Sequence, residues 1–111
     1  MRRRGSFTLV ATGEAETAVA GFIVAEVHRN SGHIITIDVV GAARRSGVGS
    51  LLLSAAEARL RAACCRSVEL ETAVDNVSAL SFYKRQGYNV TKTQPRYYSN
   101  GVDALVLEKP L

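Results

Sequence analysis

Apolar residues fall in short blocks along this chain, separated by polar, glycine-rich or charged segments. Phe7 to Ala11 reads as a short strand, and Thr12-Gly13-Glu14 turns away from it. Ala18 to Val27 is a longer strand in which Gly21 is a candidate bulge. His33 to Val40 returns antiparallel after a hairpin turn at Arg29-Asn30-Ser31-Gly32. From about Val48 to Ala63 the spacing becomes helical, with Leu53, Ala56, Leu60 and Ala63 as one apolar stripe. Glu57 and Arg61 are expected as an i, i+4 pair on that helix's surface. Strand 67–72 follows a crossover, so it should lie parallel to strand 33–40. Helix 76–86 is capped by Asp75 or Asn76 and stops before Gly87. Strands 88–94 and 103–109 complete the pattern. The chain shows no internal repeat, linker or low-complexity stretch. The elements predict one α/β domain over residues 1–111, with a mixed, mainly antiparallel sheet and helices on its faces.

Candidate chemistry begins at the end of the third strand. Residues 39–53 run from the strand into an Arg-Gly-rich turn and straight on into the first helix. Arg44, Gly47 and Gly49 fit the pattern R-x-x-G-x-G. Glycines let the backbone turn tightly and approach a ligand without Cβ interference. The amides of Ser46, Gly47, Val48, Gly49 and Ser50 would sit at a helix start, where intrahelical acceptors are lacking and the dipole favours an anion. Arg44 and Arg45 add charge-assisted donors suited to phosphate. A phosphate or pyrophosphate group is the expected ligand, although such turns also occur for packing alone. The Gly-Lys-Ser/Thr ending of a P-loop is missing, which disfavours nucleotide hydrolysis.

A second block, residues 68–88, places Asn76, Ala79 and Tyr83 at i, i+3 and i+7 on one helix face. Small Ala79 between two polar side chains leaves room for something to lie across that face. A cap at Asn76 and plain packing at Tyr83 are the other readings of these residues.

With both blocks in this order, the chain resembles the GNAT family of N-acetyltransferases. The first block is similar to the family's acetyl-CoA pyrophosphate loop, Q/R-x-x-G-x-G/A. The second is similar to its L-E-V…N-x-x-A-x-x-F/Y-Y-x-x-x-G-F/Y segment, here Leu70-Glu71-Thr72, Asn76, Ala79, Phe82-Tyr83 and Gly87-Tyr88. The tail, residues 95–109, resembles the branch that acetylates protein N-termini, including ribosomal-protein alanine acetyltransferases.

The resemblance implies a fold, a co-substrate and roles for residues. Two central parallel strands, 33–40 and 67–72, would splay apart to admit the pantetheine arm of acetyl-CoA. Backbone groups near Ile37 and Val39 would pair with that arm, and Asn76 would anchor it. The acceptor would be a primary amine, either a peptide N-terminus or a small amine. Its α-amine lies only about one pKa unit above neutral, against about three for lysine. A weak base acting through water then suffices. Glu71 matches the family's glutamate, although a rim carboxylate is the other reading. Tyr83 matches the acid that meets the departing thiolate. Tyr97 and Tyr98 would contact the first residues of an acceptor peptide. A non-catalytic acyl-CoA-binding or regulatory module is the alternative.

Composition is consistent with one compact core: 111 residues, 47% hydrophobic and 22% charged. A net charge of +4 could favour nucleic acid. The arginines are scattered, however, with no aromatic-interleaved stripe, so no nucleic-acid partner is expected. Nor is a membrane partner, because no apolar run is long enough to span one. Met1-Arg2-Arg3-Arg4 lacks a hydrophobic follow-on and does not read as a secretory signal. Cys64 and Cys65 are adjacent, so they should stay unpaired in a cytoplasmic protein. Ligand spacing for a metal is missing, and the residues around His28 and His33 read as a plain hairpin. GNAT domains usually open with a strand and two helices, whereas here only about seventeen residues precede the long strand. Relative to the family, either the front is truncated or a partner or second copy supplies that wall, and a homodimer is expected.

Overall fold

The computed structural model describes residues 4–12, 19–41, 47–95, 97 and 100–111. Six strands and two helices follow one another as β1 (Arg4–Thr12), β2 (Val19–His28), β3 (Ser31–Val39), α1 (Val48–Ala62), β4 (Ser67–Ala73), α2 (Val77–Arg85), β5 (Asn89–Gln94) and β6 (Ala104–Pro110). The sheet order is β1-β2-β3-β4-β6-β5, mostly antiparallel with one parallel pair. This is the expected mixed α/β class. The chain divides into two compact units, Met1–Val68 with Leu111 and Glu69–Pro110, and β4 starts in the first and ends in the second.

In the first unit β1, β2 and β3 form an antiparallel meander, with α1 against it. The core is Ile23, Ala25 and Ile34 from the strands, Leu52, Leu53, Ala56 and Leu60 from α1, and Cys65 and Val68 beyond it. The Arg59 guanidinium stands 4.5 Å from the centroid of the Phe7 ring, tying α1 to β1. Leu53, Ala56 and Leu60 of the expected stripe therefore lie on the buried face of α1, whereas Ala63 is half-buried at the C-cap beyond the helix. One expectation on that helix fails. Glu57 is 4% exposed, so it lies in the buried arc of α1 and not on the helix's surface. Position 57 directly follows Ala56 and lies three before Leu60, inside the arc that packs on the sheet.

The strand bounds also move. β1 takes in Arg4, Gly5 and Ser6, because their backbones pair with His28, Val27 and Glu26 whatever their side chains. The hairpin turn shrinks from four residues to two, Arg29 and Asn30, since His28 already pairs with Ser31. Arg29 takes φ 60, while Asn30 does not share a positive φ. Gly21 is not the irregular residue itself. The β1–β2 register skips Ala20 beside it, and the β2–β3 register skips Ile35. Gly21 instead permits close approach of β3: a Cβ there would lie 2.7 Å from the Asp38 carbonyl oxygen and 3.2 Å from the Val39 Cα.

In the second unit β5 and β6 pair antiparallel, and Leu70, Tyr83, Tyr88, Ala104, Val106 and Leu107 are buried. The Val74 amide donates to the Asp103 carbonyl at 3.0 Å, joining the end of β4 to the entry of β6. Among the described residues, no helix is long and apolar enough to cross a membrane.

Candidate active site

In the first unit the expected anion site begins at Gly47. This residue is the N-cap of α1 and has φ 86 and ψ 3, a left-handed conformation that favours glycine. Its carbonyl accepts from the Leu51 amide at 3.0 Å, the first α-helical bond. Val48, Gly49 and Ser50 make up the first turn of α1, where helix geometry supplies no intrahelical partner for the amides. No side chain caps the helix, and its first turn carries no acidic residue. A serine or aspartate at the cap would have taken one of those amides for itself. Glycine leaves the helix start open, and a Cβ on Gly47 would meet nothing within 4 Å. A helix start of this kind carries the positive end of the helix dipole, which favours an anion. Arg44, Arg45 and Ser46 lie outside the described residues.

Ile37 and Val39 are on β3, half-buried, opposite Ile23 and Gly21 of β2. Their expected part, main-chain pairing with an extended ligand, is one that any β-strand backbone is chemically equipped to play.

In the second unit β4 alternates strictly. Val68, Leu70 and Thr72 are buried, and Glu69 and Glu71 share the other, half-buried face. Glu71 is therefore held on a strand with its carboxylate directed away from the side of Leu70. Asn76 caps α2: its Oδ1 accepts from the Ala79 amide at 3.2 Å. Capping fills the oxygen and leaves the side-chain NH2 with its donor chemistry.

Tyr83 is the buried residue of α2, with 8% of its surface exposed. Its ring meets Phe82 edge-on at 5.3 Å between centroids and Tyr88 edge-on at 5.9 Å. Its carbonyl accepts from the Tyr88 amide at 3.0 Å, and the Lys84 carbonyl accepts from the Gly87 amide at 3.1 Å. With Gly87 at φ 96, these two bonds make a Schellman motif. Gly87 is thus the helix stop that its sequence position implied. The Tyr83–Tyr88 contact was not foreseen. Strand spacing places Tyr88 at the start of a strand, and its position just after Gly87 at a helix end is the signal for the contact. Tyr97 is half exposed, in the segment between β5 and β6. Tyr98 lies outside the described residues.

The described residues thus supply a glycine-capped helix start in the first unit and, in the second, a half-buried carboxylate and a packed phenol. These groups suit binding of an anion and proton transfer to or from a reacting amine and thiolate. Comparison with known proteins gives a consistent answer. A family model, acetyltransferase (GNAT) family, matches residues 1–88. An uncharacterized N-acetyltransferase of Methanocaldococcus jannaschii is 37% identical over 97 residues, covering 86% of this chain and 62% of that protein. N-alpha-acetyltransferase 30 of Homo sapiens is 40% identical over 77 residues, covering 69% of this chain and 21% of that protein. The crystal structure of the NatC complex bound to Gag peptide and CoA superposes with a TM-score of 0.83 at 31% identity, covering 94% of this chain and 70% of that one. The chain accordingly spans less than two thirds of the length of either of these two relatives. With most of its length matched to the family model and to relatives above 30% identity, this chain belongs to the acetyltransferase (GNAT) family.

Proposed function

We propose that this chain transfers the acetyl group of acetyl-CoA to a primary amine, with a peptide N-terminus as the favoured acceptor. The observation that carries the reading is the start of α1, where left-handed Gly47 caps the helix without a side chain and no acid stands in the first turn. A pyrophosphate would take those amides, with Arg44 and Arg45 adding charge. Backbone groups near Ile37 and Val39 and the Asn76 side-chain amide would hold the pantetheine arm.

Both substrates would be bound together, and the neutral amine would attack the thioester carbonyl directly. Glu71 would accept the amine's proton through water. Collapse of the tetrahedral intermediate would then break the C–S bond, and Tyr83 would give a proton or hydrogen bond to the departing thiolate. No acyl-enzyme is needed, so much of the rate would come from orientation of two bound substrates. The preference for an α-amine rests on its lower pKa, which demands less of the base than lysine does. The relatives named above for N-alpha-acetylation support the same choice. Tyr97 and Tyr98 would contact the first residues of the acceptor. A cytoplasmic location fits Cys64 and Cys65, which form no disulfide. A homodimer fits the exposed Val10, Ile35 and Leu51.

The test is CoA release from acetyl-CoA against peptides with free and with blocked N-termini, lysine-containing peptides and small amines. Turnover confined to free N-termini is expected. CoA binding without turnover on any amine would replace this reading with that of an acyl-CoA-binding module.

A further inference from the structure

Tyr88 meets the proposed acid through both its backbone and its ring. It is 1% exposed and follows the end of α2. Its amide closes the Schellman turn on the Tyr83 carbonyl at 3.0 Å. Its ring, 5.9 Å from that of Tyr83 and inclined by 63°, presents the edge-to-face geometry that aromatic pairs prefer. Phe82 supplies a second edge contact at 5.3 Å and 64°. Behind Tyr88 stands Lys109 of β6, its Nζ 5.7 Å from the ring centroid. The same lysine's Cε lies 3.4 Å from the place a Cβ on Gly87 would take. The Tyr83 ring therefore has edge contacts with a neighbour on its own helix and with a ring that Lys109 of β6 contacts in turn.

This matters because a phenol aids a leaving thiolate only where its oxygen meets the sulfur, and a misplacement of about 1 Å can cost about a hundredfold in rate. Helix position alone does not fix a tyrosine ring, since χ1 has two accessible wells and χ2 is broad. We infer that Tyr88 is a positioning residue for Tyr83: its ring, and not its hydroxyl, sets the direction of the Tyr83 side chain for proton donation. The inference rests on the reading of Tyr83 given above.

Two properties make it testable apart from folding. The turn's hydrogen bond uses the Tyr88 backbone, so side-chain variants keep it. In addition, an effect exerted through the Tyr83 hydroxyl vanishes once that hydroxyl is gone. Tyr88→Phe, Tyr88→Leu, Tyr83→Phe and the double variant Tyr83→Phe/Tyr88→Leu would be assayed for CoA release with acetyl-CoA and the most rapidly acetylated library peptide. Tyr88→Phe should keep the parent kcat, because the ring remains. Tyr88→Leu should lower kcat about tenfold or more with the acetyl-CoA KM unchanged. The double variant should fall no lower than Tyr83→Phe alone. A Tyr88→Leu loss that persists in full in the Tyr83→Phe background would overturn the positioning role, since loss of folded protein acts alike in both. An equal loss in Tyr88→Phe would overturn the assignment to the ring. Parent kcat in Tyr83→Phe alone would instead sink the reading of Tyr83 itself, and this inference with it.

Discussion

Leu60 occupies the space that a side chain on Gly32 would need. Its Cδ1 and Cδ2 lie 2.6 and 2.8 Å from where a Cβ on Gly32 would stand, closer than real Cβ contacts come. Gly32 is buried in β3, and Leu60 is fully buried on the face of α1 that covers the meander. The glycine thus sets how near the helix comes to the strand that leads into the expected cofactor loop. Gly32→Ala should destabilise the protein by about 1–3 kcal/mol through overpacking. In a Leu60→Ala background, itself costing about 2–5 kcal/mol, the same change should cost much less. Urea denaturation of the four proteins gives the coupling, and simple additivity would contradict the contact.

At the other end of α1 the chain uses an unfavourable residue. The Cys65 amide donates to the Leu60 carbonyl at 2.9 Å and the Cys64 amide to the Arg61 carbonyl at 2.9 Å, a second Schellman ending. Here the left-handed position is Cys64, at φ 68, where glycine is usual. The penalty for an L-residue there is about 1–2 kcal/mol, offset in part by glycine's greater freedom when unfolded. Cys64→Gly should therefore stabilise the protein by about 0.5–1 kcal/mol. Chemical denaturation under reducing conditions measures it, and a loss of stability would show that Cys64 makes contacts worth more than the strain.

Gly47 separates ligand binding from folding. Nothing stands within 4 Å of its missing Cβ. A substitution there meets strain from φ 86 but no clash within the chain. Gly47→Asp places a carboxylate at the amino end of α1, where it is tolerated or mildly stabilising for the helix. It also opposes a pyrophosphate arriving at the same amides. We expect CoA affinity to fall at least about tenfold, since close like charges cost on the order of 1 kcal/mol or more even in water. Gly49→Val should weaken binding by bulk instead. Calorimetry that returns the parent affinity in both variants would remove the cofactor from this helix start.

For Glu71 the informative variable is pH. Glu71→Gln keeps the shape of the side chain and its place on the half-buried face of β4, and removes the base. The loss in kcat/KM should be greatest at low pH, where most of the acceptor amine is protonated, and should shrink as the free amine becomes abundant. A profile that keeps the parent's height and acidic limb would eliminate Glu71 as the proton acceptor.

The sequence made most of this arrangement legible, for identifiable reasons. Helical spacing of Leu53, Ala56 and Leu60, and the Asn76 and Gly87 pair bracketing α2, are local signals that tertiary structure did not override. What escaped depends on partners distant in sequence. Arg4 to Ser6 look like a polar tail until β2 offers them a backbone ladder. Glu57 looks like half of a surface pair until the packed arc of α1 takes it in. Gly32 looks like part of a turn until Leu60 is found above it. The candidate site divides in the same way. Gly47, Asn76 and Gly87 declare their conformations by type, whereas the packing of Tyr83 on Tyr88 needed the chain to be folded.

The central claim is acetyl transfer to an amine by direct attack. Its most direct test is a single turnover with acetyl-CoA labelled in the acetyl group, quenched and located by mass spectrometry on both peptide and protein. The account predicts label on the α-amine of a peptide with a free N-terminus and none on the protein at any time point. Label appearing first on a side chain of the protein, or remaining on CoA whatever amine is offered, would contradict it.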